Sequence, residues 1–263
     1  MIQYGVCQWC IDRRGVDAIA RIAELGLTCT QLTVGNDEDV LALSDKSIQA
    51  AYLSAAAPHG VAITGLALNM LASSEGMLSP AGSEAHNKAF AVIDKCLGIA
   101  QAMQVPMMHI PSFGRAEIKT GDDMALTADV FRRACVLAEG SGVTIATENP
   151  FGVEGHKELF HLVNHPGFKF LLDTRNPVVR GYSAAALIEQ LGQRMCNQVH
   201  VKDGQSGVKG SVTLGTGDGD FAASARALLA AGFDGYIISE NRYEQDAERL
   251  LAEDMAVLHN YFG

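Results

Sequence analysis

Residues 197–205 read NQVHVKDGQ. Asn197 to Val201 has the make-up of a buried strand, yet a histidine, a lysine and an aspartate sit at its end. In an extended chain alternate side chains share a face, so His200 and Lys202 point one way and Val199 and Val201 the other. An imidazole beside an ammonium at the mouth of a core demands a partner, because buried charge is unfavourable unless it is paired.

Outward from this stretch the chain alternates short apolar, β-branched runs with longer amphipathic ones. The strand-like runs are 2–7, 29–34, 61–68, 105–110, 143–148, 168–173, 196–201 and 235–240. Helix-like runs lie between them: Val16–Leu25, a weaker one over Asp45–Pro58, Ser83–Gln104, Asp122–Glu139, Lys157–Asn164, Ser183–Leu191, Phe221–Ala231 and Gln245–Tyr261. Near-continuous apolar strands suit a parallel sheet covered by helices. Eight strand–helix units in 263 residues match the count and size of a single (β/α)8 TIM barrel, class α/β, filling residues 1–263 as one domain. An open doubly wound sheet is the runner-up, but it calls for a Gly-rich first turn, and CQWCIDRRG after the first strand has none.

In a (β/α)8 barrel the active site lies at the C-terminal ends of the strands. Strand 1 ends at Gln8 and Trp9, strand 3 near Asn69, and strand 4 at His109, Pro111 and Ser112. Strands 5 to 8 end at Glu148 and Asn149, at Asp173, Arg175 and Asn176, at His200, Lys202 and Asp203, and at Glu240, Asn241 and Arg242. One such carboxylate is readily a helix cap. Three converging on one mouth repel each other unless a cation sits among them. Three carboxylates with one imidazole suit a hard or borderline divalent ion such as Mn2+, Mg2+ or Co2+, and no thiolate joins the set. Glu148, Asp173, His200 and Glu240 are therefore the candidate metal ligands. Lys202 is either a counter-ion to them or a substrate contact.

Composition narrows the function. The net charge is −10 and no run of Lys or Arg exceeds two, which disfavours nucleic acid as a partner. No apolar run approaches the ~18 residues of a membrane span. The N-terminus lacks a basic segment followed by an apolar core, so a cytoplasmic protein is expected. The six cysteines, Cys7, Cys10, Cys29, Cys96, Cys135 and Cys196, lie in apolar segments and read as reduced, buried thiols. Cys7 and Cys10 form a C-x-x-C, but no helix opens on it, so redox chemistry is not expected. The other histidines, His59, His86, His156, His161, His165 and His259, read as structural; His161 and His165 show no evident carboxylate partner. The Gly-rich loop Ser211–Asp220 can cradle phosphate, but is read as turns at Gly215, Gly217 and Gly219 with Asp220 capping the next helix.

TENP on strand 5, LLDTRN on strand 6, VHVKD on strand 7, the GTGDGDF loop and ISEN on strand 8 together resemble the xylose-isomerase-like sugar isomerase/epimerase superfamily, in order and spacing over the whole chain. The resemblance implies one divalent metal on Glu148, Asp173, His200 and Glu240, Mn2+ first, with Mg2+, Co2+ or Zn2+ as alternatives. It also implies Glu148 and Glu240 as the catalytic acid and base on opposite faces of the substrate. Many sugar 3-epimerases carry D-x-x-H on strand 6; here Asn176 takes the His place, as in the L-xylulose-5-phosphate 3-epimerase group. An Arg usual after the strand 7 His is replaced near Ser206, with Lys209 beyond. A homodimer or homotetramer follows by analogy with related barrels.

The expected reaction is metal-assisted proton abstraction next to a carbonyl, through an enediolate, on a sugar or sugar phosphate. His109 and Lys202 would meet developing charge or bind hydroxyls, Asn149, Asn176 and Trp9 would shape the pocket, and Arg242 with Lys202 and Lys209 would receive a phosphate. The alternatives are an inosose dehydratase-like lyase, which expels a β-hydroxyl from the same site, and a non-catalytic sugar-binding barrel.

Overall fold

Parallel strands cannot be joined by tight turns, so each strand here returns through a longer, mostly helical crossover. The computed structural model describes residues 1–35, 41–208 and 210–263; Lys209 lies outside the described residues. The strands are β1 (Gln3–Cys7), β2 (Cys29–Thr33), β3 (Ala62–Ala67), β4 (Met107–Pro111), β5 (Thr144–Glu148), β6 (Phe168–Asp173), β7 (Met195–Val201) and β8 (Tyr236–Ser239). They form a closed barrel in chain order, sealed by β1 pairing with β8 from Gln3↔Tyr236 to Val6↔Ser239. Among the described residues the helices are α1 (Asp17–Glu24), α2 (Lys46–His59), α3 (Glu84–Ala102), α4 (Gly121–Leu137), α5 (Val153–Val163), α6 (Asn176–Val179), α7 (Ala184–Leu191), α8 (Phe221–Ala230) and α9 (Ala247–Phe262). None of them is long and apolar enough to cross a membrane.

The period-2 reading of 197–205 decides which side chains enter the barrel. Val199 and Val201 lie on the outer face, in one apolar cluster with Leu187 and Ile188 of α7 and Phe221, Ala225 and Leu228 of α8. Met107, Ala146, Leu171 and Cys196 form a separate apolar layer drawn from four successive strands. Two residues further along β4, β5 and β6, on the same face, come His109, Glu148 and Asp173, and four further along β7 comes His200. An apolar plug thus sits below a polar mouth.

Three local details differ from the sequence reading. β4 runs on to Pro111, so His109 lies inside the strand rather than ending it. α5 begins at Val153, four residues before the expected Lys157, which puts His156 within the helix. The short α6 is unforeseen: the Asp173 Oδ1 accepts from the backbone N–H of Arg175 (2.8 Å) and Asn176 (2.6 Å), and Pro177 follows in its first turn.

Candidate active site

Four successive strands deliver the predicted quartet. Glu148 and Asp173 are the last residues of β5 and β6, His200 is the penultimate residue of β7, and Glu240 directly follows β8. Asp173 and His200 face each other across the β6/β7 ladder. One ligand atom from each of the four residues lies within 4.8 Å of all the others. Glu148, Asp173 and His200 are buried and Glu240 is nearly so. The sequence thereby brings to one point residues that are up to 92 positions apart (240 − 148).

Each carboxylate has one oxygen fixed by the surrounding protein and the other turned to the cluster. Asn176 Nδ2 donates to Glu148 Oε1 at 2.6 Å, while Glu148 Oε2 lies 2.9 Å from His109 Nε2 and 3.4 Å from His200 Nδ1. Trp9 Nε1 donates to Glu240 Oε1 at 3.3 Å, while Glu240 Oε2 receives Lys202 Nζ at 2.7 Å and lies 3.5 Å from His200 Nδ1. Asp173 gives Oδ1 to the α6 backbone, and its Oδ2 lies 3.0 Å from Lys202 Nζ without hydrogen-bond geometry. Lys202 therefore stands as counter-ion to both Asp173 and Glu240. His109 and His200 meet edge to face at 5.4 Å.

The electrostatics ask for further positive charge. Burial raises the Glu240 carboxyl, but Lys202 and His200 outweigh it and bring it down to about 2. Burial likewise raises Glu148, and the His109 and His200 imidazoles beside it hold it well below the usual range. For Asp173 burial prevails over Lys202, and its carboxyl rises to about 6. Burial lowers His200, yet Glu240 and Glu148 push it up to about 10. With His200 in the neutral form that a metal ligand must take, three carboxylates against the Lys202 ammonium would carry −2 (−3 + 1). A divalent cation balances that deficit, and the buried His200 Nδ1, which has no hydrogen-bond partner, faces the place where it would sit. The donor set of carboxylate oxygens and one imidazole fits a hard or borderline divalent ion.

Beside the quartet a cavity of about 470 Å³ opens to the surface, with Trp9, Arg175, Lys202, Ser211, Glu240 and Arg242 in its wall. Arg242 stands on its exposed rim rather than in the cluster, and among the described residues its guanidinium has no ion-pair partner. Arg175 pairs with Asp218 at 3.2 Å. Asn149 is buried and its Oδ1 accepts from the Phe151 N–H at 3.2 Å, so that oxygen shapes its own loop.

The Gly-rich loop holds an anion, but an internal one. The Asp203 carboxylate accepts from the N–H groups of Gly204, Gly215, Gly217 and Gly219 at 2.8 to 3.0 Å. A Cβ at Gly217 would lie 2.3 Å from Asp203 Oδ1, so only glycine permits the approach. The expected helix cap at Asp220 is corrected: its backbone sits at φ 48°, its side chain caps nothing, and Asp203 carries out the anchoring. His165 also differs from expectation, since its Nε2 lies 3.0 Å from Glu139 Oε1. The six cysteines are free and buried, and burial pushes the Cys7 thiol well up, the opposite of a redox thiolate.

The sequence profile of the xylose isomerase-like TIM barrel family matches residues 19–261. The chain belongs to that family. Within reach of it, the 2-epi-5-epi-valiolone 7-phosphate 2-epimerase of Actinoplanes sp. is 32% identical over 225 residues, 85% of this chain and 81% of that protein. D-allulose 3-epimerase from Methylomonas sp., solved in complex with D-allulose, has a TM-score of 0.77 at 16% identity, covering 99% of this chain and 97% of that one. IolI, solved with a bound zinc atom, has a TM-score of 0.77 at 17% identity over 99% of both chains. At such identities the two structures share the family fold with this chain.

Sequence reasoning missed Gln31 and Gln198. Gln31 Oε1 lies 2.9 Å from His200 Nε2, and Gln31 Nε2 donates to Gln198 Oε1 at 3.0 Å. The same alternation that pairs His200 with Lys202 places Gln198 on that face, so the signal was present in the opening stretch.

Proposed function

We propose that the protein is a divalent-metal-dependent sugar or sugar-phosphate epimerase or isomerase that removes a proton next to a carbonyl, through an enediolate. The observation that carries this reading is the convergence of Glu148, Asp173, His200 and Glu240 within 4.8 Å at the barrel mouth. The Actinoplanes relative, by name a 2-epimerase of 2-epi-5-epi-valiolone 7-phosphate, supports it. Mn2+ suits the oxygen-rich donor set best.

When a divalent ion is bound there, it supplies Lewis-acid polarisation of the carbonyl. Glu148 and Glu240 are the catalytic pair. β6 and β7 separate their strands, so the two carboxylates reach the mouth from different sides. One takes the proton from the carbon beside the carbonyl and the other returns a proton to the opposite face, or to the adjacent carbon. Asn176 and His109 orient Glu148, and Trp9 orients Glu240. Lys202 keeps the Asp173 and Glu240 charges in balance and stands beside the cavity where substrate hydroxyls would lie. The Arg242 guanidinium on the cavity rim suits the phosphate of a phosphorylated substrate.

The test is to strip metal with a chelator, restore Mn2+, and follow exchange of the α-proton with D2O across a panel of ketoses and ketose phosphates by NMR. Exchange is expected only in the restored enzyme. Full activity with no bound metal would sink the reading, and net loss of water would point to lyase chemistry.

A further inference from the structure

The quartet works only if His200 offers the right nitrogen. A neutral imidazole has one bare nitrogen and one N–H, and the N–H partner decides which is which. Below the mouth, three uncharged side chains cross the barrel from β7 to β3 and β2. Gln198 Nε2 donates to the Thr64 backbone carbonyl at 2.6 Å, and Gln198 Oε1 accepts from Thr64 Oγ1 at 2.9 Å and from Gln31 Nε2 at 3.0 Å. Gln31 Oε1 then faces His200 Nε2 at 2.9 Å. Gln31, Gln198 and His200 are fully buried and Thr64 is 1% exposed, so water cannot stand in for a missing partner.

The direction of this chain follows from its first member. A backbone carbonyl only accepts, so Gln198 must turn its NH2 to Thr64 and its oxygen to Gln31. Gln31 must then turn its NH2 to Gln198 and its oxygen to His200. His200 must answer with an Nε2–H. Reversing either amide sets oxygen against oxygen or NH2 against NH and leaves buried polar groups unpaired.

We infer that Gln31 and Gln198 are positioning residues that fix the proton of His200 on Nε2 and present Nδ1 to the carboxylate cluster. The relay also chooses between two sets of ligands. Cys7, His200 and Glu240 form a second group close enough to share an ion, with Cys7 Sγ 3.7 Å from His200 Nε2. Because Nε2 is committed to Gln31, the imidazole is available to the oxygen-rich quartet and not to a thiolate set through that nitrogen. The relay thereby biases the site toward a hard ion such as Mn2+ and away from thiophilic ones.

The inference rests on the metal-dependent reading for its consequence but is testable without it. In 15N-labelled protein, long-range 1H–15N correlation of the His200 ring should show a slowly exchanging Nε2–H hydrogen-bonded to Gln31, both in the metal-free ring, where Nδ1 is protonated as well, and after a diamagnetic divalent ion such as Mg2+ or Zn2+ has displaced the Nδ1 proton. Gln31→Met, which keeps the volume and removes the acceptor, should lose that signal. It should weaken Mn2+ binding roughly tenfold to a hundredfold by calorimetry, and weaken Zn2+ binding less. Gln198→Met keeps the acceptor but frees it to turn, and should give a smaller loss in the same direction; it decides the matter if Gln31→Met does not fold. Mn2+ affinity within twofold of wild type in a folded Gln31→Met protein would overturn the inference. So would a wild-type ring with a bare Nε2, a readout that needs no variant. Absence of any metal binding by the wild type would instead strike at the proposed function, and the ring signal would still decide the relay.

Discussion

Two buried histidines make opposite use of the same burial. His200 is fully buried at the barrel mouth, and Glu240 and Glu148 push it up to about 10 against the pull of desolvation. His156 on α5 is 2% exposed, and burial lowers it to about 4, only partly opposed by hydrogen bonds to the Gly152 and Phe151 backbone. Its neighbours are rings: Phe170 at 4.9 Å, Phe151 at 6.1 Å and Phe160 at 6.2 Å. Desolvation acts on both, and the charge of the neighbours settles the outcome. A buried imidazole among carboxylates is a place for a cation. A buried imidazole among phenylalanines is packing.

The largest effect is expected at the mouth. Glu240→Gln keeps the shape and removes a base, so exchange of the substrate α-proton with solvent should fall by about 10³-fold, within the range of general-base effects. Unchanged exchange would take Glu240 out of the chemistry. At the aromatic wall, the expected signature is stability rather than activity. The unfolded chain protonates His156 near its ordinary 6.5, whereas the folded one holds it neutral down to about 4. The unfolded state therefore binds more protons in that window, and stability contributed here is lost as pH falls from 6.5 to 4, by on the order of 3 kcal/mol. His156→Phe should flatten that part of the urea-unfolding profile; an unaltered slope would contradict the account. Lys202→Met offers a finer contrast at the mouth. Removing a cation from the cluster should leave Mn2+ binding as tight or tighter while turnover falls about tenfold, whereas a rise in KM alone would make Lys202 a simple substrate contact.

The sequence carried the barrel because its eight apolar runs are separated by amphipathic ones, and a period of 2 against one of 3.6 survives without knowledge of contacts. It carried the quartet for a related reason. Glu148, Asp173, His200 and Glu240 each break an apolar run at its C-terminal end, where a barrel concentrates its chemistry. Gln31 and Gln198 escaped notice because an uncharged amide inside a strand carries no such break; their meaning lies in a cross-barrel pairing 167 residues apart in sequence. The anchoring of the Gly-rich loop was hidden likewise. Asp203 reaches Gly215, Gly217 and Gly219 only once the loop has folded back over the end of β7, so the nearer Asp220 looked like the cap. The short α6 arises from the side chain of Asp173, which serves the loop with one oxygen and the cluster with the other.

The central claim is that the quartet holds one divalent ion. Calorimetric titration of the metal-stripped protein with Mn2+, alongside Asp173→Asn and His200→Gln variants of demonstrated fold, tests it most directly. One equivalent bound per chain in the wild type, with each variant weakened by two orders of magnitude or more, is the predicted result. Wild-type-like binding in both variants, or none in the wild type, would contradict it.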